Sequence, residues 1–497
     1  MTPTSLSRST RLSTLPLDPA PAMRPIRDGA HGLVAVDLDD GFGLLHPAAG
    51  SVGVVLFGSW AYEDLCLRRV LPVLGDALAG IGLPVMRFDL TGVADSPAPR
   101  MPDDLEAWID VGRRAADGLR RASGCSRLIF AGFGLGAALA AAAAGGRDDV
   151  AGLCLIGPVQ SGRRYVREVA TTCRLMYEAL GLTAPARERL ELAGEAMSET
   201  LTKAIGALDL SAEVSRRKVR AADTLILARS DVAIDPRLVE ALSAGGGVVE
   251  VAPFEDFAAT VTNDVKTPRP DRTVARIVAW ARRFVGEAEA AAPPSVRSWS
   301  DRVARAGEGF VEEPVAAGSA RDLYGVACRP AGGSMERGPV VLFVNTNYDH
   351  HGGWARRWVE VARAAARAGI TSLRVDLPGI GDSPARADGP QIVLYSEHHV
   401  AATRDVAETL ARETGRPVLV VGLCSGAHLA FRAAAASEAI AGAVLFNNQR
   451  FVWDPRESVL EAATVTPRVL ADYRRRVGAL TTYRRLITGQ IDLRSAG

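Results

Sequence analysis

Lysine is nearly missing from this chain of 497 residues: of 58 basic residues only Lys203, Lys218 and Lys266 are lysines. Asp+Glu number 57, so the formal net charge is +1. That balance excludes a nucleic-acid binder that works through a strong overall basic field. Cysteine is sparse as well. The six cysteines, at 66, 125, 154, 173, 328 and 424, form no CxxC pair and no disulfide framework, which points to a reducing compartment. The run Leu135 to Ala144 is mostly alanine and too short for the roughly 18 consecutive apolar residues of a membrane helix. Met1 to Asp28 holds Ser, Arg and Pro but no apolar core of a signal peptide. The expectation is a cytoplasmic protein with no membrane and no nucleic-acid partner. Histidine is scarce too, and none lies between His46 and His350.

What the chain has instead is an internal repeat. Val54-Val-Leu-Phe57 returns as Val340-Val-Leu-Phe343, an offset of 286. Arg87-Phe-Asp-Leu-Thr-Gly-Val-Ala-Asp-Ser-Pro-Ala98 returns as Arg374-Val-Asp-Leu-Pro-Gly-Ile-Gly-Asp-Ser-Pro-Ala385 at 287. Gly132-Phe-Gly-Leu-Gly136 returns as Gly422-Leu-Cys-Ser-Gly426, and Ala151-Gly152 as Ala441-Gly442, both at 290. Landmarks in one order at nearly constant offset indicate a tandem duplication.

Within each copy, apolar runs of strand length alternate with helical patterns. Val340 to Asn345, Thr371 to Leu377, Arg416 to Gly422 and Ala441 to Phe446 read as strands; Trp354 to Ala368, Val400 to Thr414 and Ala427 to Ala436 read as helices. The alternation predicts right-handed βαβ units and a doubly wound α/β sheet in each copy. The expected division is a disordered tail over 1–23, a first domain over 24–286, a linker over 287–300, a second domain over 301–446 and an Arg-rich helical, cap-like segment over 447–497.

Strand, Gly-x-nucleophile-x-Gly, helix is the order of a nucleophile elbow. From about His31 onward both copies resemble the α/β-hydrolase superfamily. Their Arg-x-Asp-Leu-x-Gly-x-x-Asp-Ser-Pro loops look like those of serine-aminopeptidase-type hydrolases and of hydrolases found beside exosortase genes. The resemblance implies a triad in the order nucleophile, acid, histidine. The first copy has Gly134 at the nucleophile position and no downstream histidine; Asp231 or Asp235 matches only the acid. In its cleft, Ser59, Asp95, Gly134 and Asp231 are the positions to inspect. Adding 290 to the first copy's later strands, Asp223 to Ala228 and Gly247 to Ala252, puts their equivalents beyond Gly497. The second copy is therefore expected to be C-terminally incomplete, its open edge covered by the first copy, by self-association or by a second polypeptide.

The second copy carries Cys424 at the nucleophile position. A thiolate there would sit at a helix N-terminus among backbone N–H groups; the plain alternative is a small residue filling a tight turn. His351 and His399 are the candidate bases, each from an adjacent pair (with His350 and His398), and Asp349 completes the catalytic set. Asn345, Tyr348, Asp382, Ser425, His428, Asn447 and Arg450 are candidate substrate contacts, since loops at the carboxyl ends of parallel strands bind ligands. Asp376 and Asp382 repeat Asp89 and Asp95, which favours a structural role for all four. Adjacent histidines rarely converge on one ion, so no metal and no cofactor is expected. The arginines at 474–476 and 484–485 would suit an anionic substrate or the acidic surface of a carrier protein, or would form a solvated helix face.

Three functions follow. The first is an enzyme of bacterial specialised metabolism acting on an acyl or carrier-bound small molecule through Cys424. The second is intramolecular displacement, such as aziridine formation with loss of sulfate or phosphate, needing positioning and a proton acceptor but no triad. The third is a pseudoenzyme that binds or stabilises a partner, supported by the glycine elbow.

Overall fold

Aliphatic runs with no polar face can be buried only where a sheet is covered on both sides. Val52–Phe57 is such a run and is buried along its whole length. The computed structural model describes residues 33–38, 41–179, 181–182, 190–257, 260, 270–286, 304–332, 338–386 and 394–454. Its first sheet is built from β1 (Val34–Asp37), β2 (Phe42–His46), β3 (Val52–Phe57), β4 (Val85–Phe88), β5 (Arg127–Phe133), β6 (Val150–Ile156), β9 (Asp223–Ala228) and β10 (Val248–Pro253), in the order β1-β2-β4-β3-β5-β6-β9-β10. A small hairpin, β7 (Glu191–Leu192) with β8 (Glu195–Ala196), stands apart from it. The second sheet runs β11-β12-β13-β15-β14-β16-β17, from β11 (Arg305–Gly307), β12 (Phe310–Ala317), β13 (Leu323–Pro330), β14 (Val340–Phe343), β15 (Ser372–Val375), β16 (Val418–Leu423) and β17 (Ile440–Phe446).

Helices α1 (Ala61–Leu67), α2 (Val70–Ala79), α3 (Leu105–Ser123), α4 (Leu135–Ala144), α5 (Gly162–Ala179), α6 (Glu199–Gly206), α7 (Leu210–Arg216), α8 (Pro236–Ser243) and α9 (Asp271–Ala281) belong with the first sheet. Helices α10 (Arg357–Arg367), α11 (Glu397–Thr414) and α12 (Ser425–Ala435) belong with the second. Their ends obey local chemistry. The Asp104 side chain caps α3, Ser396 caps α11, and Gly124 and Gly415 terminate the same two helices in the left-handed region.

The two sheets share the segment β2-β4-β3-β5-β6, matched by β13-β15-β14-β16-β17. The register corrects one sequence alignment. Val54 pairs with Val85 and Val341 with Ser372, so β3 and β14 correspond at an offset of 287, one residue away from the 286 that the Val-Val-Leu-Phe match suggests. Both sheets carry a register shift at the same place, between Leu128 and Ile129 and between Val418 and Leu419.

They differ at the far edge. In the first sheet β6 is buried throughout and pairs with β9, which in turn pairs with β10. Among the described residues β17 pairs with β16 alone, and Phe446 is 48% exposed. The expected tail, the linker over 287–300 and the arginine clusters lie outside the described residues. Both sheets fall in one compact unit, Met1–Phe451, with Val452–Gly497 as a second. No helix among the described residues is long and apolar enough to cross a membrane.

Within that unit the sheets meet through their antiparallel arms, where Phe42 and Leu44 of β2 pack with Ala316, Tyr324 and Val326. The seam is also heavily charged. Arg374, fully buried, donates to Asp95 (3.0 Å) and to Glu312 (2.8 Å). Arg356 donates to the carbonyls of Gly92, Ser96 and Ala98 at 2.7–2.9 Å, satisfying a loop that would otherwise bury bare backbone.

Candidate functional site

Both sheets end their fifth-strand equivalents in the same turn. Gly134 follows β5 at φ 55°, ψ −118°, and Cys424 follows β16 at φ 54°, ψ −116°. Each backbone N–H at the turn donates to the end of the next strand, Gly134 to Ile156 and Cys424 to Phe446, both at 2.9 Å. The flanking glycines are required. A Cβ on Gly132 or Gly422 would sit 2.5 or 2.1 Å from the carbonyl oxygen of Gly136 or Gly426.

Cys424 is partly exposed. Burial pushes its thiol up, the Ser425 backbone N–H offsets part of that, and the Asp349 charge adds to it. Ser425 Oγ accepts from the Asn347 backbone N–H (2.8 Å), and Thr346 Oγ1 donates to the Leu423 carbonyl (2.9 Å), which ties the loop after β14 to the elbow. His428, fully buried one turn further along α12, donates from Nδ1 to the Arg450 carbonyl (2.9 Å). Among the described residues its Nε2 has no hydrogen-bond partner. Burial holds this imidazole below its ordinary range, so it is neutral at pH 7. Tyr395 meets the His428 ring edge-on at 5.2 Å, and burial raises its hydroxyl. Asn447 follows β17 at φ 50° on the exposed side of the same rim.

The ring nitrogens of both candidate bases have partners other than Cys424. His351 is held on both ring nitrogens, Nδ1 donating to Asp376 (2.8 Å) and Nε2 to Asp95. Burial opposes its charge, but Asp95 and Asp376 override that and hold it well above the ordinary imidazole range. His399 donates through one ring nitrogen, Nε2, to the Pro378 carbonyl (2.9 Å) and sits 3.1 Å from Ser396 Oγ through the other. Burial drives it down to about 4. The ring nitrogens of both histidines are thus engaged within the framework.

Four expected contacts move to the framework as well. Asn345 spends its amide on Asp349, Asp376 and the Leu377 N–H. Tyr348 lies under the Arg69 guanidinium, 3.9 Å from its ring centre. Asp382 pairs with Arg87 (2.6 Å), and Asp95 with Arg374 and His351. His351, Asp376 and Asp382 offer donor atoms within 4.8 Å of one another. Those atoms already satisfy Arg87, an imidazolium and backbone N–H groups, so the cluster reads as an ion-pair network.

The first elbow is occupied by a residue that sequence spacing does not reveal. A Cβ on Gly134 would lie 2.3 and 2.4 Å from the two carboxyl oxygens of Glu63, which fill the place of a nucleophile side chain. Ser59 Oγ donates to Glu63 (2.5 Å), and burial raises that carboxyl despite Ser59 and Arg229. Asp231, the expected acid, pairs with Arg229 (2.7 Å) instead of a histidine. Tyr395, Asn347 and Asn448 likewise emerge only from the fold. The one local sign was their position in loops that follow strands.

Residues 341–494, which include the Cys424 elbow, match the model of a family described as the alpha/beta hydrolase family. A search of curated proteins returns no match. Among solved structures, one from work on the metagenome-derived lipolytic enzymes LipS and LipT is 22% identical, covering 48% of this chain and 97% of its own at a TM-score of 0.33. Est1E from Butyrivibrio proteoclasticus is 16% identical, covering 51% and 97% at 0.34. A proline iminopeptidase from Mycobacterium smegmatis is 14% identical, covering 51% and 98% at 0.35.

Proposed function

We propose that this chain, whose residues 341–494 match the alpha/beta hydrolase family, is an enzyme of that superfamily that transfers or hydrolyses an acyl group through Cys424. One observation carries the reading: a partly exposed cysteine is held at φ 54° in a turn that the first sheet builds from glycine. The turn itself does not need a side chain, and a non-glycine residue there is strained. Strain of this kind persists where a reactive group must be presented.

The thiol is protonated at rest, so attack requires a base in the same step. His428 supports that role, being neutral, oriented through Nδ1 and free at Nε2. As Cys424 Sγ bonds to the acyl carbon its proton passes to His428. The bond to the leaving oxygen or sulfur then breaks, and the imidazolium protonates that atom. Water or a second acceptor releases the acyl group by the reverse sequence.

For the first sheet, Glu63 seated over Gly134 favours a supporting role without nucleophilic chemistry. The test is intact-mass analysis after treatment with p-nitrophenyl acetate. An acetyl adduct that maps to Cys424, and is lost in Cys424→Ala, supports the proposal. Absence of the adduct defeats it, and turnover of a natural substrate that survives Cys424→Ala would favour intramolecular displacement instead.

A further inference from the structure

Buried polar atoms without partners are rare in folded proteins, and each calls for an explanation. Among the described residues, four lie on the elements that surround the Cys424 elbow: Asn347 Oδ1, His428 Nε2, and both Nδ2 and Oδ1 of Asn448. The elements place them together. Asn347 is bonded to Ser425, the residue after the cysteine; His428 is on α12 and tied to Arg450; Asn448 lies between β17 and Arg450. The base invoked above accounts for His428 Nε2. The carboxamides remain.

We infer that this rim is a binding subsite for an amide-bearing acyl donor, with Asn448 as the residue that reads the amides. This rests on the reading of Cys424 as the acyl-accepting group and names the substrate class of that site. A carboxamide presents donors on nitrogen and an acceptor on oxygen. Its complement is a chain that offers a carbonyl to Nδ2 and an N–H to Oδ1, as successive amides along one flexible arm do. An ester with a purely hydrocarbon leaving arm would leave both Asn448 atoms buried and unpaired. A site built for hydrogen bonds discriminates most strongly against the analogue that lacks them. Asn347 Oδ1, next to Ser425, is placed to accept from an N–H nearer the scissile bond. The substrate expected is therefore a thioester or oxoester whose arm carries amides within a few bonds of the acyl group. A pantetheine-type arm, free or attached to a carrier, has that chemistry.

Three butyryl thioesters test it on the intact protein: S-butyl thiobutyrate with no amide, butyryl-N-acetylcysteamine with one, and butyryl-pantetheine with two. Acylation of Cys424 followed by mass should accelerate along the series, by about tenfold or more from the first to the last. Asn448→Leu should erase most of that gain. Asn448→Asp, which keeps the size and loses the donors, should fall between. Equal rates across the series, or a gain that survives Asn448→Leu, overturns the inference. If no probe acylates Cys424, the acyl-enzyme reading fails by itself. Calorimetry of pantetheine on Cys424→Ala then decides the subsite: binding weakened by Asn448→Leu supports it, and no binding refutes it.

Discussion

Arg87 of β4 places Nη1 2.6 Å from Asp382 Oδ1 in the second sheet's loop. The equivalents return the contact in the opposite sense, since Arg374 of β15 places Nη2 3.0 Å from Asp95 Oδ1. Both arginines stand 287 residues apart, as do both aspartates. The Arg-x-Asp-Leu motif thus supplies a strand arginine and a loop aspartate that are exchanged across the seam.

Breaking one exchange should be costly. Side chains of Arg87 and Asp382 are 7% and 10% exposed, so a lone partner would be left charged and poorly hydrated. Arg87→Met should lower unfolding free energy by about 3–5 kcal/mol, and the double change Arg87→Met with Asp382→Leu should cost less than the single one. Urea melts decide it, and a loss under about 1 kcal/mol for Arg87→Met would show the pair to be incidental.

His351 makes stability depend on pH with a definite sign. Its folded value lies well above the ordinary 6.5, so its contribution is full below about pH 6.5 and is lost as pH rises toward the folded value. Asp95, held below 3.8 by His351 and Arg374 against the cost of burial, contributes above its ordinary value and loses that contribution as pH falls. Denaturant titrations across pH 6 to 9 should show falling stability in the parent, with a shallower slope in His351→Gln. Parallel slopes would remove His351 from the account.

Asp349 should restrain the thiol. Burial and this carboxylate both raise Cys424 above its usual value near 9.0. Iodoacetamide should therefore alkylate Cys424 more slowly at pH 7 than it alkylates free cysteine, and Asp349→Asn should speed the reaction at the same pH. A slower or unchanged rate in Asp349→Asn would reverse the electrostatic assignment.

Restoring a nucleophile to the first elbow should fail for a steric reason. In Gly134→Ser the new Cβ meets the Glu63 carboxyl at 2.3 Å, an overlap that should cost about 1–3 kcal/mol. Adding Glu63→Ala should recover most of it. Thermal melts of the two single variants and the double variant test this, and simple additivity would mean that Glu63 does not occupy the elbow.

The chain determined by itself much of what repeats. Aliphatic runs such as Val340–Phe343 and the glycines at 132 and 422 act locally, because strand burial and a tight strand-to-helix turn leave few residue choices. Cys424 at the elbow, Gly134 at its counterpart and a histidine one turn beyond Cys424 were therefore legible as spacing. Partnership across long separations was not. Sequence offered His351 as a base, and only the packing of two sheets gives it Asp95 from 256 residues away, which engages its second ring nitrogen. Asn345, Tyr348 and Asp382 were drawn into the framework in the same way, and Glu63 reached Gly134 from a helix with no motif to mark it. A side chain's chemistry is fixed by its type, but whether it is free to act depends on which charges and carbonyls the tertiary fold has already brought to it.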